Sequence, residues 1–239
     1  MASLLLLMLL PLLGSEVLGL DFSLGGRLEK HGQINQTGQY ILGGLFPAHS
    51  SYNRTNNECS DFNLPGLIYI QAMIYAIEVL VNPTLPKSYR LGYKIVDDCY
   101  GIDLAMEASV RFLMGDSVRE RRDWILHYKR DRSNTSSVPV KSPVLAVVGA
   151  ANSDISTAVA SLLSVNSIPQ ISYSATSPEL SDKTRYPSFL RTIPPDNAQV
   201  AAMGDLVKFF NWTWISVIAT DDSYGRFGTS LAFSRLISY

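Results

Sequence analysis

Four short loops carry side chains suited to binding a small charged molecule. Gly149-Ala-Ala-Asn-Ser153 ends on a serine at a predicted helix start, and Ser172-Tyr-Ser-Ala-Thr-Ser177 crowds hydroxyls and free backbone amides together. Pro194-Pro-Asp196 sets a carboxylate at a helix start, and Thr220-Asp-Asp-Ser-Tyr224 adds an aromatic ring. Hydroxyls and amides suit a carboxylate, whereas an Asp with a tyrosine face suits an ammonium. Ser153, Ser174, Thr176, Asp196 and Tyr224 therefore offer partners for both charged groups of a free α-amino acid. Each residue also has a plainer reading, with Ser153 and Asp196 as helix caps and Tyr224 packed into a core.

Other chemistries find less support. His31, His49 and His127 are far apart in sequence and lack clustered Cys or carboxylate companions, so no metal centre is expected. A calcium site needs several oxygen ligands, and Asp97, Asp98, Asp221 and Asp222 read better as solvated charges at strand ends. No nucleophile–base pair and no phosphate-binding glycine loop is visible, so neither an enzyme nor a cofactor is expected. A formal net charge of −1 with 17% charged residues gives no basic patch for nucleic acid.

The loops must be positioned by alternating strands and helices. Gln39 to Phe46 reads as a buried strand, 49–63 as a polar surface loop, Leu67 to Val81 as a largely buried helix ended by Pro83 and Pro86, and Arg90 to Asp97 as a strand. An amphipathic helix is predicted over Leu104 to Met114, followed by a charged, Ser-rich loop over 116–142. Strands are predicted at 144–148, 168–172, 189–192 and 214–220, with helices at 153–165, 197–210 and from about Tyr224. Such alternation predicts an α/β fold, a mostly parallel sheet with helices on both faces. In that architecture ligands collect at the carboxyl ends of strands, where helix N-termini present free N–H groups.

The chain reads as exported. Leu4 to Leu13 is an apolar run too short to span a bilayer, and Val17-Leu18-Gly19 fits a cleavage site, giving a signal peptide over 1–19. No other run reaches the length of a membrane helix. The two cysteines, Cys59 and Cys99, are expected to form a disulfide in an oxidising compartment. Sequons at Asn35, Asn53, Asn134 and Asn211 agree with export.

From Tyr40 onward the sequence resembles the ectodomains of class C G-protein-coupled receptors. Leu42-Gly-Gly-Leu-Phe-Pro47, Gln71-Ala-Met-Ile-Tyr-Ala-Ile-Glu78, Asp97-Asp-Cys99, Ala146-Val-Val-Gly149 and Ile168-Pro-Gln-Ile-Ser-Tyr173 look like the family's landmarks. So do Phe189-Leu-Arg-Thr-Ile-Pro194, Trp212-Thr-Trp214 and Asp221-Asp-Ser-Tyr-Gly225. The resemblance implies a Venus-flytrap module, two α/β lobes closing on a ligand, with lobe 1 over 20–191 and lobe 2 beginning at 192. In amino-acid-binding members the residues at Ser153, Ser174 and Thr176 hold the α-carboxylate, and those at Asp196 and Tyr224 hold the α-ammonium.

The resemblance further implies a chemosensory receptor of taste or fish-odorant type for L-amino acids. It would dimerise through lobe 1, reach a G protein only through membrane helices that this sequence does not include, and act on the extracellular side of the cell membrane. Calcium sensing is the alternative within the family, and the lack of cysteines in 116–142 departs from its pattern. Val79-Leu-Val81 also departs from the family's usual acidic and apolar pattern. A truncated, secreted binding protein is a third reading. With its second lobe barely begun, the chain alone is expected to fold poorly and to be secreted or retained in the endoplasmic reticulum.

Overall fold

The computed structural model describes residues 33–56, 58–114 and 144–237. The expected signal peptide, the 116–142 loop and the Asn134 sequon lie outside those residues. Eight strands are described: β1 (Gln33–Gln36), β2 (Tyr40–Phe46), β3 (His49–Asn53), β4 (Glu58–Phe62), β5 (Leu91–Asp97), β6 (Ala146–Val148), β7 (Gln170–Ser172) and β8 (Phe189–Arg191). The α-helices are α1 (Leu64–Tyr75), α2 (Ile102–Met114), α3 (Ser153–Ser164), α4 (Asn197–Phe209) and α5 (Ser223–Ile237). A wider turn, Ala76–Val81, prolongs α1.

Six strands form one sheet in the order β1-β5-β2-β6-β7-β8, parallel throughout except for β1. This is the expected α/β architecture. Its period-two alternation divides the core. Leu45, Val96 and Val147 point to one side and pack with Ala105, Ala108 and Phe112 of α2 and with Ile155, Val159 and Leu163 of α3. Phe46 and Ile95 point to the other side and pack with Ile70 and Met73 of α1 and with Ile77. Full burial of each large apolar side chain contributes roughly 1.5–3 kcal/mol, so both layers are needed to hold β2 at the centre. The Gly43-Gly44 pair lets helices approach β2 from both sides. A Cβ on Gly43 would lie 3.0 Å from the Phe112 ring of α2, and one on Gly44 would lie 3.0 Å from the Met73 sulfur of α1.

Several sequence expectations change. Residues 49–63 are not a plain loop, because β3 and β4 pair antiparallel with Ser51 opposite Ser60. These Ser- and Asp-rich strands lack apolar alternation, and the pairing is fastened from outside. The Cys59–Cys99 disulfide ties β4 to the end of β5, as expected. His49 Nδ1 also meets the Asp97 carboxylate. The polar entry contributes an edge strand, β1, which pairs Ile34 with Ile95.

The 64–84 stretch reaches a mean hydropathy of 1.8, and by length and composition it is apolar enough to cross a membrane, contrary to expectation. Here it lies on the sheet through Ile70, Met73 and Ile77, so it is not largely buried. Leu64, Ile68, Val79 and Leu80 are each more than half exposed. Residues 214–220 form no strand, because no neighbour pairs with them among the described residues. Trp214 is 86% exposed and Ile218 99% exposed. The sequons at Asn35, Asn53 and Asn211 are exposed.

Candidate ligand-binding site

The carboxyl ends of β6, β7 and β8 place three of the four suspected loops side by side. Gly149 closes β6 with φ +115°, a conformation favouring glycine, and a Cβ there would lie 2.2 Å from the Leu45 carbonyl oxygen. The chain can therefore turn tightly against β2 and start α3 at the rim. Gln170 Nε2 donates to the Gly149 carbonyl at 2.9 Å, and the Ser172 and Ser156 hydroxyls donate to the Ala150 carbonyl at 2.7 and 3.0 Å. The 149–153 loop is thus fixed from β7 and from its own helix.

Asn152, not Ser153, caps α3. Its Oδ1 accepts from the N–H groups of Asp154 at 2.7 Å and Ile155 at 3.3 Å. Ser153 is buried, and its Oγ accepts from the Ser177 N–H at 3.3 Å. Ser174 Oγ donates to the Ala151 carbonyl at 2.8 Å. The Thr176 hydroxyl donates to Asp196 Oδ2 at 2.9 Å, and the Asp196 N–H donates to the Thr176 carbonyl at 3.0 Å. Asp196 begins α4 but makes no side-chain cap, so its carboxylate is committed sideways toward the hydroxyl loop. Capping is therefore not what occupies either Ser153 or Asp196.

Ser153, Ser174, Thr176 and Asp196 consequently belong to one bonded set spanning three loops. Tyr224 is placed less directly. The Ser223 N–H donates to Asp154 Oδ1 at 2.9 Å, which joins the start of α5 to the first turn of α3. The Tyr224 ring beside that joint is 47% exposed, so it is not core packing.

Electrostatics sharpen the picture. Burial pushes the Asp196 carboxyl up, while the Thr176 hydroxyl and the Arg191 charge pull it part of the way back. A carboxylate held this way in a poorly solvated rim suits a cation that brings its own hydrogen bonds. Ser177, one residue past Thr176, is fully buried with an unpartnered Oγ. Neither Ser177 nor Asn152 stood out in the sequence, where each is one more polar loop residue. Their roles depend on backbone direction, which residue type does not carry.

Asp97 and Asp98 are not solvated charges. They are 5% and 1% exposed. Asp97 Oδ1 accepts from the Ala48 N–H at 2.9 Å and the Cys99 N–H at 3.0 Å, so it is a scaffold residue. His49, Asp97 and Cys99 bring potential ligand atoms together. The Cys99 sulfur is spent in the disulfide, however, and offers no thiolate to a metal. Asp221 is exposed, as expected, and pairs with Arg226, whereas Asp222 is half-buried and accepts from the Gly225 N–H; neither ends a strand, because 214–220 forms none.

Comparison with known proteins identifies the family. The sequence profile described as "Receptor family ligand binding region" matches residues 70–234. The extracellular calcium-sensing receptor of Sus scrofa is 40% identical over 206 residues, covering 82% of this chain and 18% of the receptor. The human G-protein coupled receptor family C group 6 member A is 38% identical over 197 residues, covering 79% and 20%. Its Carassius auratus counterpart is 37% identical over 231 residues, covering 89% and 25%. The chain thus spans about a fifth to a quarter of the length of these curated relatives.

Proposed function

The chain belongs to the family of receptor ligand-binding regions and is homologous to class C G-protein-coupled receptors, and on that premise we propose that it binds the backbone of an L-amino acid. The carboxylate meets Ser153, Ser174 and Thr176 beside the N-terminal N–H groups of α3. The ammonium meets Asp196 and the face of Tyr224. The observation that carries this reading is the Thr176–Asp196 hydrogen bond, which sets a poorly solvated carboxylate against a loop of hydroxyls. No step of bond making is involved, because the relatives are receptors rather than enzymes.

In the two-lobed domain, lobe 1 ends near Arg191, and Asp196 and Tyr224 belong to lobe 2. A ligand touching both favours the closed state by its differential affinity, and closure is the signal. The exposed apolar side of α1 and of the turn that prolongs it, with Leu64, Ile68, Val79 and Leu80, is the surface through which lobe 1 dimerises. The ligand-binding region stands on the extracellular side of the cell membrane, and the whole receptor reaches its G protein through membrane helices outside this chain. Taste or odorant subtype is not part of the proposal, because the relatives compared are described as calcium-sensing and family C group 6 member A receptors.

Calcium sensing is the second reading, favoured by the calcium-sensing relatives. Dose–response curves of the receptor carrying this chain separate the two. Asp196→Ala should cost on the order of 2–5 kcal/mol of amino-acid potency and Ser153→Ala about 1–2 kcal/mol, with surface expression unchanged. If both variants answer L-amino acids like wild type while calcium alone drives the response, the second reading replaces the first.

A further inference from the structure

We propose that Arg191 is the positioning residue of this site, holding the 174–177 loop by hydrogen bonds so that the Thr176 hydroxyl is set against Asp196. The inference rests on the amino-acid reading above and goes beyond it, because Arg191 is not among the residues proposed to touch the ligand. Its guanidinium leaves the end of β8 and reaches back across the loop that follows β7. One nitrogen, Nη1, donates to the Ala175 carbonyl at 3.2 Å and to the Ser177 carbonyl at 3.0 Å. The other, Nη2, donates to the Ser181 hydroxyl. The two carbonyls flank Thr176, so the planar fork fixes the peptide units on both sides of the hydroxyl that bonds Asp196. A lysine carries the same charge but cannot span three acceptors in that geometry.

The same side chain acts on the other half of the site. Arg191 loses solvation by partial burial and is favoured by the charge of Asp196, and Asp196 is in turn held lower by Arg191. Ionisable groups on the surrounding elements are committed elsewhere. Asp154 accepts from the Ser223 N–H, Asp221 from Arg226, Asp222 from the Gly225 N–H, and Glu179 from Arg185. Among the described residues, Arg191 is the cation whose charge acts on Asp196. Without it, burial acts on Asp196 with only the Thr176 hydroxyl opposing, and the carboxyl takes up a proton at higher pH. A protonated Asp196 no longer attracts an ammonium, so binding fails on the acid side.

The experiment measures apparent affinity from pH 4.5 to 8 for L-alanine, L-leucine and L-phenylalanine, whose side chains do not titrate. Wild type, Arg191→Gln, Arg191→Lys and Ser153→Ala are compared in the receptor ectodomain that carries this chain, with thermal stability recorded for each. Arg191→Gln should weaken binding at pH 7.5 roughly tenfold, as expected from losing bonds to a charged group. It should also move the acid limb to higher pH. Arg191→Lys should restore the limb but not the affinity, and Ser153→Ala should weaken binding without moving the limb.

An Arg191→Gln variant that binds like wild type overturns the inference. So does one that binds weakly with its acid limb in place, which would mark Arg191 as structural only. A wild-type ectodomain that binds none of the three amino acids would instead overturn the amino-acid reading and this inference with it.

Discussion

Replacing Asp98 with asparagine should stabilise the fold, and the gain should depend on pH in a defined direction. Asp98 is 1% exposed, just beyond β5, and its Oδ1 accepts from the Tyr100 N–H at 3.1 Å. Its Oδ2 is buried without a partner, as is the Tyr173 hydroxyl, on which the Asp98 charge acts. Burial pushes the Asp98 carboxyl up to about 7 from an ordinary 3.8; the Tyr100 N–H opposes the shift and the charge of Asp97 adds to it. The folded state then holds a proton that the unfolded state releases. Stability from this group is complete below the unfolded value, falls as pH rises, and is lost once pH passes about 7.

At about 1.4 kcal/mol per unit, the penalty grows to roughly 4 kcal/mol above pH 7, an upper bound because the surroundings can relax. Asparagine keeps the acceptor for Tyr100 and carries no charge. Thermal unfolding of the secreted ectodomain should show the Asp98→Asn variant gaining on wild type by about 2–3 kcal/mol between pH 5 and 7, on the order of 5–10 °C. Little further gain is expected above that window. A constant difference across the range, or a gain that grows toward acid pH, would refute the reasoning.

Three further outcomes follow from the same structure. Peptide mapping of secreted material should recover Cys59 and Cys99 as one bridged pair; closing that 40-residue separation contributes roughly 4 kcal/mol in the chain-entropy account. Recovery of both thiols free would contradict it. Gly149→Ala should destabilise by about 3 kcal/mol or more, because the new Cβ meets a backbone carbonyl at a positive φ, and loss of secretion is the first readout. Val79→Glu with Leu80→Glu should leave a monomer in sedimentation of the ectodomain while preserving its melting temperature. An unchanged dimer would move the interface off α1 and the turn that prolongs it.

The layered α/β fold was legible because its core runs are periodic. β2, β5 and the helices with Phe112 or Val159 on one face announce themselves through apolar spacing. The hairpin β3–β4 was not legible, since Ser51, Ser60 and Asp61 give no alternation and its pairing is imposed by Asp97 at the end of β5 and Cys99 just beyond it. Asp97 and Asp98 looked solvated because a carboxylate usually is. Their burial follows from the backbone N–H groups of Ala48, Cys99 and Tyr100 converging there, which depends on tertiary placement. At the site, residue types singled out Ser153, Ser174, Thr176 and Asp196, and the fold brings them into one bonded set. That Asn152 takes the cap, and that Arg191 braces the loop, required the direction of each side chain.

The most direct test of the central claim is calorimetric titration of the ectodomain with an L-amino acid and with two blocked forms of it. L-phenylalanine presents both charged groups, N-acetyl-L-phenylalanine lacks the ammonium, and L-phenylalanine amide lacks the carboxylate. Hydrogen bonds and charge pairs lost from a desolvated site should weaken each blocked form by roughly a hundredfold. Asp196→Ala should abolish the preference for the free ammonium alone. Equal binding of all three, or binding of calcium with no amino-acid binding at all, would contradict the account.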